Sequence, residues 1–184
     1  MRKFGFICLL TIGFFSWILG SGCQKTTTKD SFQSQLDSIN NLQVVLYDGL
    51  NLYGSSFNQY SRGFSVPGRS GYPYATFNGA ASTIDVIYDS AIFWNYDPAH
   101  IKNVTNTGTK YAHTSLTPAQ FDSTTKRSAF DGYTATLDTI HVTAGEVIYL
   151  LTKDNYKTFF KIKAIEPSLT SYISFDCKIA IPAK

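Results

Sequence analysis

The chain has 184 residues, 43% of them hydrophobic and 15% aromatic, with 16 basic against 13 acidic side chains and a formal net charge of +3. That length suffices for one domain with a core of its own. A charge this near balance excludes a protein built to hold nucleic acid or an acidic polymer by electrostatics.

The first 22 residues read as a secretory leader. Arg2 and Lys3 form a short positive region, the sixteen residues Phe4 to Leu19 carry no charge, and Gly20-Ser21-Gly22 offers small side chains to a peptidase cleft. As a helix the uncharged stretch spans about 24 Å, short of the roughly 30 Å hydrocarbon core of a bilayer. Polar residues follow at once, so a permanent membrane helix is not expected. Loss of residues 1–22 leaves 162 residues, 14 basic and 13 acidic, and the apparent basicity almost disappears.

Cys23 stands directly behind the small triplet. The run Leu19-Gly20-Ser21-Gly22-Cys23 resembles the lipobox of bacterial lipoproteins, with the leucine one place further from the cysteine than is usual there. The resemblance implies cleavage before Cys23 and palmitate-type acylation of the new terminus. Ordinary signal-peptidase cleavage at the same bond is the alternative, since Gly20 and Gly22 also satisfy the small-x-small rule. Each buried methylene contributes about 0.8 kcal/mol, so two or more acyl chains hold a protein durably where one does not.

Residues 23–41 are rich in Ser, Thr, Gln and Asp and read as a polar tether. From residue 42 to 184 the texture is β, with aromatic and β-branched residues, sparse charge and recurring Gly/Asn/Asp turns. Leu42, Val44 and Leu46 alternate with Gln43, Val45 and Tyr47 until Asp48-Gly49 breaks the run. Ile84, Val86 and Tyr88 alternate with Asp85, Ile87 and Asp89. Tyr53–Tyr74 and Asn95–Thr117 read as long loops, where binding groups usually sit. One helix start is legible: Thr117-Pro118-Ala119-Gln120 sets a capping Thr, a Pro at the first helical position and a Gln three residues on. That helix is predicted to end near Lys126.

The last forty residues carry the clearest pattern. Glu146–Lys153 and Tyr156–Ile165 read as a hairpin about Asp154-Asn155, with Phe160, Ile162 and Ala164 on one face and Lys157, Lys161 and Lys163 on the other. In the final strand Ile173, Phe175, Cys177, Ile179 and Ile181 alternate with Tyr172, Ser174, Asp176 and Lys178, the period of a half-buried strand. The predicted fold is therefore a single all-β domain, antiparallel and sandwich-like, with one short helix.

No set of residues spells a reaction. Cys177 lies among apolar neighbours, a setting that disfavours thiolate. His100, His113 and His141 lack metal-site spacing. No Gly-x-Ser-x-Gly frames a serine, and Glu146 and Glu166 fall at strand ends rather than as a pair across a cleft. Asp85 and Asp89, on one strand face, stand too far apart to share an ion unaided. Aromatics are the group in excess, most of them core by expectation. Trp94 and Tyr96, with His100 close behind, are the candidate ligand-binding residues, because exposed Tyr and Trp offer stacking faces at low entropy cost. Asp37-Ser38-Ile39, Asp89-Ser90-Ala91, Asp122-Ser123-Thr124 and Asp138-Thr139-Ile140 look like the Asp-Ser/Thr-apolar O-glycosylation sites of exported Bacteroidota proteins.

The stretch from Ala144-Gly145-Glu146 through Tyr156-Lys157-Thr158-Phe159-Phe160 to Tyr172-Ile173-Ser174-Phe175 resembles the closing hairpin and strand of small Bacteroidota lipoproteins, of which HmuY-type haemophores are one kind. In that kind loop His or Met residues ligate haem, so the resemblance raises haem as a possible cofactor; the chain from residue 23 on contains no Met. The expectation is a non-catalytic binding or accessory protein of the bacterial cell envelope, lipid-anchored at the outer membrane on its periplasmic or surface face. Its partners would be the membrane and a small molecule, glycan or envelope protein, with no resident metal and no nucleic acid. A haem or metal carrier and an envelope hydrolase are the alternatives.

Overall fold

The computed structural model describes residues 43–54, 60–97, 104, 106–166 and 172–181. Cys23, the leader, the tether and His100 lie outside the described residues.

Among the described residues ten strands form two antiparallel sheets of five. The first contains β1 (Val44–Tyr53), β6 (Lys110–His113), β8 (Val147–Leu151), β9 (Lys157–Glu166) and β10 (Tyr172–Ala180), in the order β1-β10-β9-β8-β6. The second contains β2 (Ser61–Ser65), β3 (Ser70–Pro73), β4 (Val86–Asp89), β5 (Ile92–Trp94) and β7 (Thr139–His141), in the order β3-β2-β4-β5-β7. The described residues also form the short α-helices α1 (Phe77–Ala80) and α2 (Pro118–Ser123).

The period-two runs near the C-terminus become the central strands β9 and β10 of the first sheet, while the run over residues 84–89 becomes β4, central in the second. β10 turns Ile173, Phe175, Cys177 and Ile179 into the space between the sheets, where they meet Phe160 and Ile162 of β9 and Phe64, Val86, Tyr88 and Phe93 of the second sheet. At the centre Phe64, Phe93, Phe160 and Phe175 pack edge-on and tilted, with ring centroids 4.5 Å apart for Phe160–Phe175 and 5.6 Å for Phe93–Phe160. Such geometry suits the ring quadrupoles. The hairpin between β8 and β9 turns where the sequence places it, with Asn155 taking the left-handed conformation at φ 62°.

The Thr117 capping box is present in full. Thr117 Oγ1 accepts the Gln120 N–H at 3.2 Å, and Gln120 Oε1 accepts the Thr117 N–H at 2.8 Å. The helix stops at Ser123, about a turn early. The buried Lys178 explains the stop: its ammonium donates to the carbonyls of Phe121, Asp122 and Thr124 at 2.7, 2.7 and 2.8 Å. These are orphan acceptors at a helix C-terminus, where a cation is also favoured by the dipole. With Phe121 and Phe130, this segment roofs the outer face of the first sheet and covers Val147, Tyr149 and Phe159. Of the lysine face of β9 this segment covers Lys161, while Lys157 and Lys163 stay open to solvent. Lys161 pairs with Asp122 at 2.6 Å and with Asp176 at 3.1 Å, while Lys163 reaches Asp176 at 3.2 Å. A second cover, from Tyr74 to Ile84, lies on the outer face of the second sheet with Phe77 against Ile87.

Three segments differ from the sequence reading. Asp48-Gly49 does not end β1: one extra residue bulges between Tyr47, opposite Cys177, and Leu50, opposite Phe175. Gly49 adopts φ 64°, and its N–H donates to Asp176 Oδ1 at 2.9 Å. Tyr53–Tyr74, read as loop, contains β2 and β3, and Asn95–Thr117 contains β6. β2 (Ser-Arg-Gly-Phe-Ser) hides its strand character because its glycine is a packing requirement. A Cβ on Gly63 would stand 3.0 Å from the Phe77 ring and 3.2 Å from Ile84.

Candidate functional site

Trp94 and Tyr96, chosen from the sequence, do come together. Trp94 ends β5 and Tyr96 follows it, with ring centroids 5.1 Å apart and planes at 77°. Both are half-buried, and Trp94 packs against the cover of the second sheet. The indole N–H is buried with no hydrogen-bond partner among the described residues. Tyr60 is more open, 43% exposed, and stands 4.8 Å from Tyr53.

The other sequence candidates take separate places. His113 Nδ1 meets Glu146 Oε1, whose partner oxygen accepts the Thr143 N–H at 3.1 Å and thereby braces the Thr143–Glu146 turn. His141 is exposed on β7. Cys177 is fully buried, and burial pushes its thiol pKa well up. Asp89 pairs with Arg62, while Asp85 accepts the Val66 N–H at 2.8 Å, so these two carboxylates serve different elements. Among the described residues no three His, Cys, Asp or Glu side chains gather as a metal site. Of the Asp-Ser/Thr sequences, Ser90 and Ser123 are exposed and Thr139 is half-buried; Ser38 lies outside the described residues.

Two cavities that local sequence does not announce flank the turn between β2 and β3. The Arg69 N–H donates to Ser65 O at 2.8 Å and the Gly68 N–H to Ser65 Oγ at 3.2 Å, which tightens this turn. Pro67 lines both cavities. The first is an apolar crevice of about 200 Å³. Val45 and Tyr47 of β1 and Ile179 and Ile181 at the end of β10 line one side, and Val66, Pro67 and Arg69 of the turn the other, with Tyr156 between them. The Arg69 guanidinium lies 4.9 Å from the centroid of the Tyr47 ring. The Tyr47 hydroxyl is buried with no partner among the described residues. Burial raises its pKa, and nearby Arg69 offsets part of that rise.

The second cavity, about 230 Å³, is polar. Ser65, Tyr72, Ser82, Thr83, Lys153 and Asp154 surround Asp85, which is 1% exposed. Burial lifts the Asp85 pKa from 3.8 to about 6, against the opposing pull of the Val66 N–H and the Lys153 charge; Asp154 adds to the rise. The carboxylate thus holds the same turn that walls the crevice.

The native value lies above the unfolded one, so between about pH 4 and 6 the folded chain binds more protons. The stability contributed by protonated Asp85 is complete below about pH 4 and is lost as pH rises through about 6. Asp85→Asn, which keeps an oxygen for Val66, is expected to raise stability by about 2 kcal/mol at pH 7.5 and to change it little at pH 4. Urea unfolding at the two pH values checks this. Equal differences at both would show that ionisation of Asp85 carries no cost.

Compared with models of known protein families, the chain matches none. No curated protein matches it either.

Proposed function

We propose that the chain is a lipid-anchored protein of the bacterial cell envelope with a non-catalytic binding role, held at the outer membrane through acyl chains on Cys23. The observation that carries this reading is the placement of Cys23 directly behind an uncharged stretch and the small triplet Gly20-Ser21-Gly22. The polar residues 23–41 support it, since they give about nineteen residues of reach between a bilayer and the β domain. The binding role is supported by the crevice beside the Pro67 turn. Among the described residues it has apolar walls, one cation and one unpaired hydroxyl, the mixture by which small-molecule sites combine burial with orientation.

The test is the state of residue 23 in protein purified from its own cells. Mass spectrometry is expected to find the mature chain starting at Cys23 with acyl groups on it. Cys23→Ser is expected to move the protein from the membrane pellet to the soluble fraction or to leave it uncleaved, because without acyl chains only weak surface contacts remain. A bare Cys23 at the mature terminus, or an intact leader, would overturn the reading.

A further inference from the structure

Among the described residues the crevice holds a cation without a counter-charge, whereas Arg127, Lys153 and Lys178, which also lack a carboxylate partner, are held by backbone carbonyls. Arg62, Lys110, Lys157, Lys161 and Lys163 each have a carboxylate partner at 2.5 to 3.2 Å. Among the described residues no carboxylate lies within ion-pair distance of Arg69, which instead stands over the Tyr47 ring. Its backbone is in the left-handed region at φ 57°, although Gly68, which adopts that conformation without penalty, is the preceding residue. Ser90, Ala91 and Asn155 share this conformation at other turns; at Arg69 it sets a cation beside the crevice. Among the described residues the rest of the lining bears no charge, and the Tyr47 hydroxyl is a second donor without an acceptor.

From this charge complementarity we infer that the crevice binds a small amphipathic anion: an unbranched or ring-shaped apolar body with one carboxylate or sulfonate head. The inference rests on the binding role proposed above and names its ligand class. The apolar body lies along Val45, Ile179 and Ile181, and the head meets Arg69 at the mouth. A volume of about 200 Å³ holds roughly seven groups of about 30 Å³ each. The seven tail carbons of octanoate therefore fill it, with the carboxylate left at Arg69.

Octanoate, 1-octanol and octylammonium share a tail and differ in head charge. Their binding to the full chain in phospholipid nanodiscs is measured by equilibrium dialysis of the radiolabelled compounds, with empty nanodiscs as reference. Octanoate is expected to bind at one site, at least tenfold more tightly than the other two. Arg69→Asn, with a side chain that tolerates left-handed backbone, is expected to weaken octanoate about tenfold, the loss due to one charge-assisted contact, and to leave octanol unchanged. Val45→Trp fills the crevice and is expected to abolish binding of all three. Leu46→Trp, on the solvent side of β1 where Leu46 is 50% exposed, leaves it intact. Equal binding of the three compounds would overturn the anion assignment while leaving the crevice as a binding site. No binding by any of them, or binding that Val45→Trp does not touch, would remove the crevice itself from the proposed function.

Discussion

Phe160→Ala is expected to lower stability by about 4 kcal/mol, the middle of the range for a core aromatic reduced to alanine. Phe160 is fully buried and touches rings from both sheets: Phe175 at 4.5 Å on its own sheet, Phe93 at 5.6 Å and Phe64 at 6.1 Å on the other. Removal of the ring leaves a void that three neighbouring rings cannot fill, since each is held by the others. A typical domain is stable by about 5–15 kcal/mol, so the variant spends a large share of the total. Urea unfolding at constant slope measures the loss. Phe160→Leu, which keeps most of the volume, should cost about 1.5 kcal/mol or less. If alanine cost no more than leucine, Phe160 would not be joining the two sheets.

Asp89→Ala is expected to cost about 3 kcal/mol, because it strands a buried cation. Arg62 is 1% exposed; its guanidinium reaches Asp89 Oδ2 at 3.1 Å, its Nε donates to the Tyr88 carbonyl at 3.3 Å, and it stacks 4.5 Å from the Tyr74 ring centroid. The pair sits at the β2–β4 junction beneath the cover of the second sheet. Removing one charge is worse than removing both, since the survivor has no water to turn to. The double variant Arg62→Met, Asp89→Ala should therefore recover more than half of the loss, as a double-mutant cycle by urea unfolding would show. Strict additivity of the two single effects would mean that the two charges do not interact.

The legible parts of the fold were those where one face of a strand meets core and the next meets something polar. β10 and the β8–β9 hairpin announce themselves by alternation, and α2 by the Thr117 box. β2 does not, because its polar-looking residues are buried by long-range partners: Arg62 by Asp89, and Gly63 by the Phe77 ring. Asp48-Gly49 read as a stop because a bulge uses the same residues as a turn. β6 is four residues long, too short for a period to show. The candidate site was less legible than the fold. Trp94 and Tyr96 do meet, but the crevice assembles Val45, Arg69, Tyr156 and Ile179 from four distant stretches. Each is an ordinary strand or turn residue where it stands. The one local sign was Arg69 behind Pro67-Gly68, a turn that could as well have ended in glycine.

The bulge in β1 also bears on what the sheet does at its margin. Among the described residues β1 is the outer strand of its sheet, and an outer strand with an unbroken row of amides invites a second chain to add itself. Gly49 turns its amide inward to Asp176, and the extra residue throws the row out of step halfway along its ten residues. A neighbouring chain could zip along only half of the strand before losing register. The bulge thus works against edge-to-edge growth of the sheet into fibres.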